Sequence, residues 1–432
     1  MAYTDFIAAI DLGTSHMVGM VGTKNATGAL SIIAYEVENS GTCIRRGCVY
    51  NVKETASKIR RLILKLENKL GGAKIGQVYV GLGGQSLRSI EHTVCKVLGT
   101  EGVVTEEIID SLYQECKDYR PDMLTVLDVV SPSYFLDDKP ESNPVGVPCS
   151  RIEARYKLIV GRPSLKLNII NSISEQAKIE IAGILVSPLA LGDVVLSDNE
   201  KDLGCALIGF GAGVTTITVY KGGKLASLSV VPFGGNLITK DITNLRVVES
   251  EAERLKITYG SAKADRDNDM TIQVSLADGM GLREIKLAEL NGVIEARMDE
   301  ILENVYARLE ATGLMSVLGA GIVITGGGAA LKNLPAVMSE RLKMEVRYSA
   351  VRKGVVASGD LVVASNPEYA VAVGLLAKGT KNCALYIPPK PEPKIEPVVE
   401  PEPIVEPTPE PEPVKELSLI HISEPTRQAE IS

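Results

Sequence analysis

The sequence predicts an α/β fold built from a duplicated unit, and two observations carry that expectation. Short apolar strands alternate with amphipathic helices from residue 6 to about residue 386. A strand-turn-strand-turn-strand pattern opens the chain and returns about 200 residues later, over residues 205–231. Two such copies facing each other would leave a cleft between them.

The first unit reads as a strand over 6–10, a turn at Asp11-Leu12-Gly13-Thr14, a strand over 16–22 and a third over 31–37. A helix is expected over 53–70, because Ile59, Leu62, Ile63 and Leu66 fall at helical spacing and Gly71-Gly72 stops it. The second unit has strands over 205–210, 214–220 and 225–231, joined by Gly211-Ala212-Gly213 and by the hairpin turn 221–224. Beyond it come a helix over 249–260, strands over 270–276 and 282–287, and a long helix over 291–311. A buried strand over 321–325 then runs into three glycines and a helix from about Leu331, and a final helix is expected over 367–377. Past Tyr386 the composition changes. Residues 388–412 are dominated by Pro, Glu and Val, which cannot pack a core and repel one another, so they read as an extended spacer with polyproline II character.

Composition narrows the function. The chain has 432 residues, 45% hydrophobic and 23% charged, which suits a globular protein with a large core. Trp is absent and Phe occurs four times, so the core must be aliphatic. The net charge of −8, with no basic stripe, argues against a nucleic-acid partner. Seven scattered Cys without a C-x-x-C pair read as reduced thiols. The N-terminus is not a signal peptide, and no apolar run approaches the ~18 residues a spanning helix needs, so membrane contact would be peripheral. Residues 417–427 back-translate to a transposase-end adapter used in DNA sequencing libraries, so 417–432 are read as adapter read-through, with the genuine reading ending near Glu416.

Three glycine-bearing segments carry the chemistry. In Asp11-Leu12-Gly13-Thr14-Ser15 a carboxylate closes a buried strand, where it is costly to ionise unless a partner or metal is near. It could face a Mg²⁺-bound phosphate while Gly13, Thr14 and Ser15 offer amides and hydroxyls; an ordinary Asp-Gly hairpin is the alternative. In the segment 209–216 the spacing of Gly209, Gly211 and Gly213 lets backbone approach an anion. Gly326-Gly327-Gly328 removes side chains where a flat base could rest and opens a helix N-terminus. Between the last two, Glu253 on the helix with Lys256 could accept hydrogen bonds from ribose hydroxyls, or simply be exposed.

Asp-x-Gly-Thr, then Gly-x-Gly-x-x-Thr, then Gly-Gly-Gly-Ala, in that order and spacing, resemble the actin, Hsp70 and sugar-kinase superfamily over residues 5–380. Ala182-Gly183-Ile184, Pro188 and Ala190 resemble its first connecting helix, and Tyr369 to Gly374 the second. The stretch Ser86 to Gly161 resembles the inserted 1C subdomain that marks the FtsA family of bacterial cell-division proteins, as does the Pro-rich spacer. The resemblance implies an actin-like (ribonuclease H-like) fold with nucleotide between the halves. It divides the chain into subdomain 1A (1–83 and 161–202), 1C (84–160), 2A (203–243 and 296–386), 2B (244–295) and the linker 387–416. It implies ATP and Mg²⁺ as ligands, with Asp11 holding the metal through water. Nucleotide contacts are expected from Gly13, Thr14, Ser15, His16, Gly211, Ala212, Gly213, Thr215, Glu253, Lys256, Gly326, Gly327 and Gly328.

The same resemblance implies self-polymerisation and docking of the FtsZ C-terminal peptide on 2B. It implies contacts with other division proteins through 1C. It also implies attachment to the cytoplasmic face of the inner membrane at the division site, through a C-terminal helix that this sequence lacks. A PilM-type pilus platform protein and a metabolic kinase share the fold and stand as alternatives. The chain departs from the pattern at Gly209, where the superfamily has Asp, at Val214, where it has Thr, and at His16, where relatives carry Lys or Asn. Loss of the Asp predicts ATP binding with weak or absent hydrolysis, unless the one-base difference between Asp and Gly codons is a sequencing error.

Overall fold

The computed structural model describes residues 5–99, 102–275, 281–357, 360, 363 and 366–385. The first half opens with β1 (Ile7–Leu12), β2 (His16–Lys24) and β3 (Leu30–Asn39), an antiparallel meander. A small hairpin, β4 (Ile44–Arg45) and β5 (Cys48–Val49), leads to helix α1 (Val52–Lys69). Asn51 caps α1 by accepting the Glu54 N–H at 3.1 Å. Its apolar stripe, Ile59, Leu62, Ile63 and Leu66, is buried, each side chain contributing about 2 kcal/mol of apolar burial. Strand β6 (Gln77–Leu82) pairs in parallel with β1.

Next comes a separate four-stranded sheet: β7 (Arg88–Val97), helix α2 (Glu106–Asp118), β8 (Thr125–Leu136), β9 (Lys139–Glu141) and β10 (Arg151–Gly161), in the order β7-β10-β8-β9. It has its own small core around Val94, Leu112, Ile152, Tyr156 and Leu158. The chain returns through α3 (Ser164–Ile170) and a wide π-type turn (Asn171–Ala177) to β11 (Glu180–Val186), completing the first sheet as β11-β6-β1-β2-β3. Helices α4 (Ser187–Val195) and α5 (Asp198–Leu203) follow. Ala182-Gly183-Ile184, expected in the connecting helix, lie instead on β11. Gly183 pairs with Tyr79 and leaves room for its ring, and the helix waits for Ser187-Pro188, where Pro suits the first turn.

The second half repeats the meander as β12 (Cys205–Phe210), β13 (Thr215–Lys221) and β14 (Lys224–Val231). Helices α6 (Gly235–Ile242) and α7 (Glu249–Tyr259), the hairpin β15 (Thr271–Ser275) and β16 (Leu282–Lys286), and the long helix α8 (Leu287–Glu310) come next. Strand β17 (Ile322–Thr325) pairs in parallel with β12; α9 (Leu334–Leu342), β18 (Val346–Tyr348) and α10 (Ala370–Lys378) close the described chain. This sheet runs β14-β13-β12-β17-β18, mirroring the first. The helix expected from Leu331 begins at Leu334: Gly327–Ala330 forms a 3₁₀ turn, and left-handed Asn333 precedes Pro335 in the first helical turn.

Helices α4 and α10 cross closely between the halves, with Gly374 against Ala190. The inserted sheet grips the edge of the second one: the Leu228 N–H donates to Ser89 Oγ at 2.8 Å, and Lys224 Nζ donates to the Pro132 carbonyl at 2.6 Å. The Pro/Glu spacer and residues 417–432 lie outside the described residues.

Candidate functional site

The three glycine segments meet at the facing ends of the two meanders. The β1–β2 turn is tight: a Cβ on Gly13 would stand 2.4 Å from the His16 carbonyl. Ser40 Oγ donates to the Gly13 carbonyl at 2.7 Å, the Ser40 N–H donates to the Ser15 carbonyl at 2.9 Å, and Ser15 Oγ lies 2.8 Å from His16 Nδ1. The turn is therefore held from behind by Ser40.

The second loop abuts the first. A Cβ on Gly213 would lie 2.5 Å from Thr14 Oγ1, so only glycine permits this approach. Behind it, the Gly235 N–H donates to the Gly211 carbonyl at 3.0 Å and the Asn236 N–H to the Ala212 carbonyl at 2.8 Å. Thr215 is fully buried and its hydroxyl donates to the Phe233 carbonyl, so it braces the loop from inside. The third loop rests on the second: Gly326, at φ +88°, would place a Cβ 2.5 Å from the Phe210 carbonyl, and Gly328 packs on the Phe210 side chain.

Helix α7 joins the same cluster. Lys256 Nζ donates to Glu253 Oε2 at 2.6 Å, to Thr239 Oγ1 at 2.8 Å and to the Gly235 carbonyl at 3.2 Å. Thr239 also donates to Glu253. The C-terminal end of α7 is tied to the exit of the third loop by hydrogen bonds from the Ala262 N–H to the Lys332 carbonyl and from the Lys332 N–H to the Gly260 carbonyl. The sequence-derived residues thus fall in one contiguous region, with Thr215 turned into the core.

Asp11 lies on β1 opposite Val18, just ahead of the first glycine turn. Burial pushes its carboxyl up from 3.8 to about 6, while the charge of His16, the Leu12 amide and the Ser187 hydroxyl draw it back down. Ser187 opens α4, and Gly81 makes room for both groups: a Cβ there would lie 2.5 Å from Ser187 Oγ and 3.1 Å from Asp11 Oδ1. Among the described residues no cluster of three or more His, Cys, Asp or Glu could cage a metal. A single desolvated carboxylate could hold Mg²⁺ only through water, as Mg²⁺ keeps most of its hydration shell and shares its remaining positions with ligand oxygens.

A carboxyl whose folded value is raised binds its proton more readily folded than unfolded. Its contribution is therefore fully present below pH 3.8 and lost as pH rises through about 6, a cost of up to about 3 kcal/mol. Without Mg²⁺ or nucleotide, Asp11→Asn is expected to match the parent in urea unfolding near pH 4 and to exceed it near pH 7.5. An equal gap at both pH values would show that Asp11 is not desolvated.

Sequence reasoning missed Ser187, Ser40, Gly81 and the Arg46-Gly47 turn.

Comparison with known proteins assigns the family. The family model described as cell division protein FtsA matches residues 206–374. The cell division protein FtsA of Porphyromonas gingivalis is 39% identical over 382 residues, covering 88% of this chain and 79% of that protein. The chain belongs to the FtsA family. The FtsA of Bacillus subtilis is 32% identical over 392 residues, covering 89% of this chain and 86% of that protein. Among solved structures, the PilM–PilN type IV pilus biogenesis complex aligns with a TM-score of 0.60 at 16% identity, covering 86% of this chain and 97% of that one. MreB 5 of Spiroplasma citri bound to AMPPNP aligns at 0.50 and 14% identity, covering 86% and 95%. The fold is actin-like. No helix among the described residues is long and apolar enough to cross a membrane.

Proposed function

We propose that this actin-like cell-division protein binds Mg-ATP between its halves, assembles with itself, and hydrolyses ATP weakly or not at all. In this reading it links FtsZ to the cytoplasmic face of the inner membrane at the division septum and meets other division proteins through the inserted sheet. The observation that carries the nucleotide part is the junction of three loops, Thr14 against Gly213 and Gly326 against Phe210. The AMPPNP in the MreB 5 structure supports it. Membership of the FtsA family supports the division part, and the higher identity to FtsA proteins favours it over a pilus platform role.

Bound Mg²⁺ would neutralise phosphate charge. Asp11 would hold its water shell, Ser187 keeping the carboxylate oriented. Backbone amides of both phosphate loops would take phosphate oxygens, the loops being pre-set by Ser40 and Gly235. Gly326 to Gly328 would leave a flat floor for the base, and Glu253, fixed by Thr239 and Lys256, would accept from ribose. At position 209 no carboxylate is present to orient an attacking water, so turnover would be slow.

The test is equilibrium binding of ATP to the full chain with and without Mg²⁺, with phosphate release and sedimentation followed in the same samples. Saturable Mg-dependent binding, little phosphate release and ATP-dependent pelleting are expected. Failure to bind any nucleotide would overturn the reading.

A further inference from the structure

We propose that Arg46 is a binding and specificity residue of this cleft, its guanidinium taking the terminal phosphate of a nucleoside triphosphate and setting the preference for tri- over diphosphate. The proposal rests on the nucleotide reading above and adds a residue to it.

Arg46 sits in the two-residue turn between β4 and β5 at φ +49°, a left-handed conformation that disfavours a residue with a side chain. Such strain persists only where surroundings impose it, and it gathers at functional sites. Here the surroundings are on view. The following N–H, of Gly47, donates to Thr14 Oγ1 at 2.9 Å, and the Gln85 N–H donates to the Arg46 carbonyl at 3.1 Å. Arg46 Cα lies 3.0 Å from where a Cβ on Gly213 would stand, in the same contact that brings Thr14 against that glycine. The turn is thus a third wall at the point where the two phosphate-type loops touch. It is strained, pinned to both sides, and carries an arginine.

The charge at this wall is uncommitted. The neighbouring Arg45 guanidinium stacks 3.8 Å above the Tyr50 ring. Arg46 donates to the neutral Gln85 Oε1 at 3.2 Å, and among the described residues no carboxylate forms an ion pair with it. A glutamine amide is a weak partner for an exposed guanidinium, and a phosphate, with two oxygens matching the guanidinium fork, would displace it. The end of the ligand is also defined. The third loop packs on Phe210 of the second loop, whereas Arg46 meets that loop at Gly213 beside Thr14. The base-side wall and the arginine wall therefore touch the second loop at different residues, and Arg46, on the Thr14 side, is the one assigned to the far phosphate.

The experiment is competition binding of Mg-ATP and Mg-ADP against a fluorescent ADP on the full chain, for the parent and for Arg46→Gln, Arg46→Lys and Arg46→Gly. Loss of one charge-assisted bond predicts an about 10-fold weaker ATP affinity in Arg46→Gln, with ADP changed by less than about 2-fold. Arg46→Lys should recover part of the loss. Arg46→Gly relieves the backbone strain, so it should fold at least as well as the parent yet lose the same ATP preference. Equal losses for ATP and ADP, or an ATP preference unchanged in Arg46→Gln and Arg46→Gly, would overturn the assignment while leaving the nucleotide site standing. A parent chain that binds neither nucleotide would overturn both.

Discussion

Gly209→Asp is expected to raise ATP turnover by about 10²-fold or more, the usual contribution of a positioned acid/base or metal-orienting group. Gly209 lies on β12 paired with Thr216 of β13 and with Thr325 of β17. The new side chain does not enter empty space: its Cβ would stand 2.7 Å from Thr216 Oγ1 and 3.7 Å from Thr325 Cγ2. The obstructing atom is the tip of a small rotatable side chain, so the strand need not move, but the hydroxyl must turn away. The double variant Gly209→Asp/Thr216→Ala should therefore turn over faster than the single one. Phosphate release at saturating Mg-ATP measures both. Nucleotide bound with unchanged turnover in the two variants would show that the missing carboxylate is not what limits hydrolysis.

Gly374→Ala should destabilise the chain by about 3 kcal/mol, at the upper end of typical overpacking costs. A Cβ at 374 would lie 2.3 Å from the Ala190 carbonyl oxygen and 2.6 Å from its carbon. Both are backbone atoms of α4, so no side chain can yield and the helices must separate. Because α4 also carries Ser187 beside Asp11, Mg-ATP affinity should fall with stability. Gly292→Ala is the matched control: it sits within α8 with nothing within 4 Å of the added carbon, and should gain about 0.5–1 kcal/mol from helix propensity. Urea unfolding of the two variants should move in opposite directions. A neutral Gly374→Ala would mean the helix crossing is looser than its geometry shows.

The duplicated meander was legible because each copy is three short apolar strands broken by glycine turns, a local pattern that needs no knowledge of the partner copy. Strand β11 was not, because Ala182 and Gly183 have no β-branched signature and their pairing with β6 is made across about a hundred intervening residues. The loops announced themselves through glycine, whose absence of side chain is visible in one dimension. Their supports did not. Ser40, Ser187 and Arg46 are ordinary residues in sequence, and they gain meaning from contacts with Gly13, Asp11 and Gly213 that only the folded chain defines. Thr215 shows the converse: the family resemblance implied a nucleotide contact there, while the folded strand turns its hydroxyl inward to donate to the Phe233 carbonyl.

The grip of Ser89 on Leu228 bears on how copies of this chain can associate. Strand β14 is the margin of its sheet, and an uncovered margin is a template onto which another chain can add a strand. Here one hydroxyl accepts the Leu228 amide and Lys224 is anchored to Pro132, so part of that template is already occupied by the chain itself. The insert acts as a guard rail: any strand added along the β14 side would first have to pry it away.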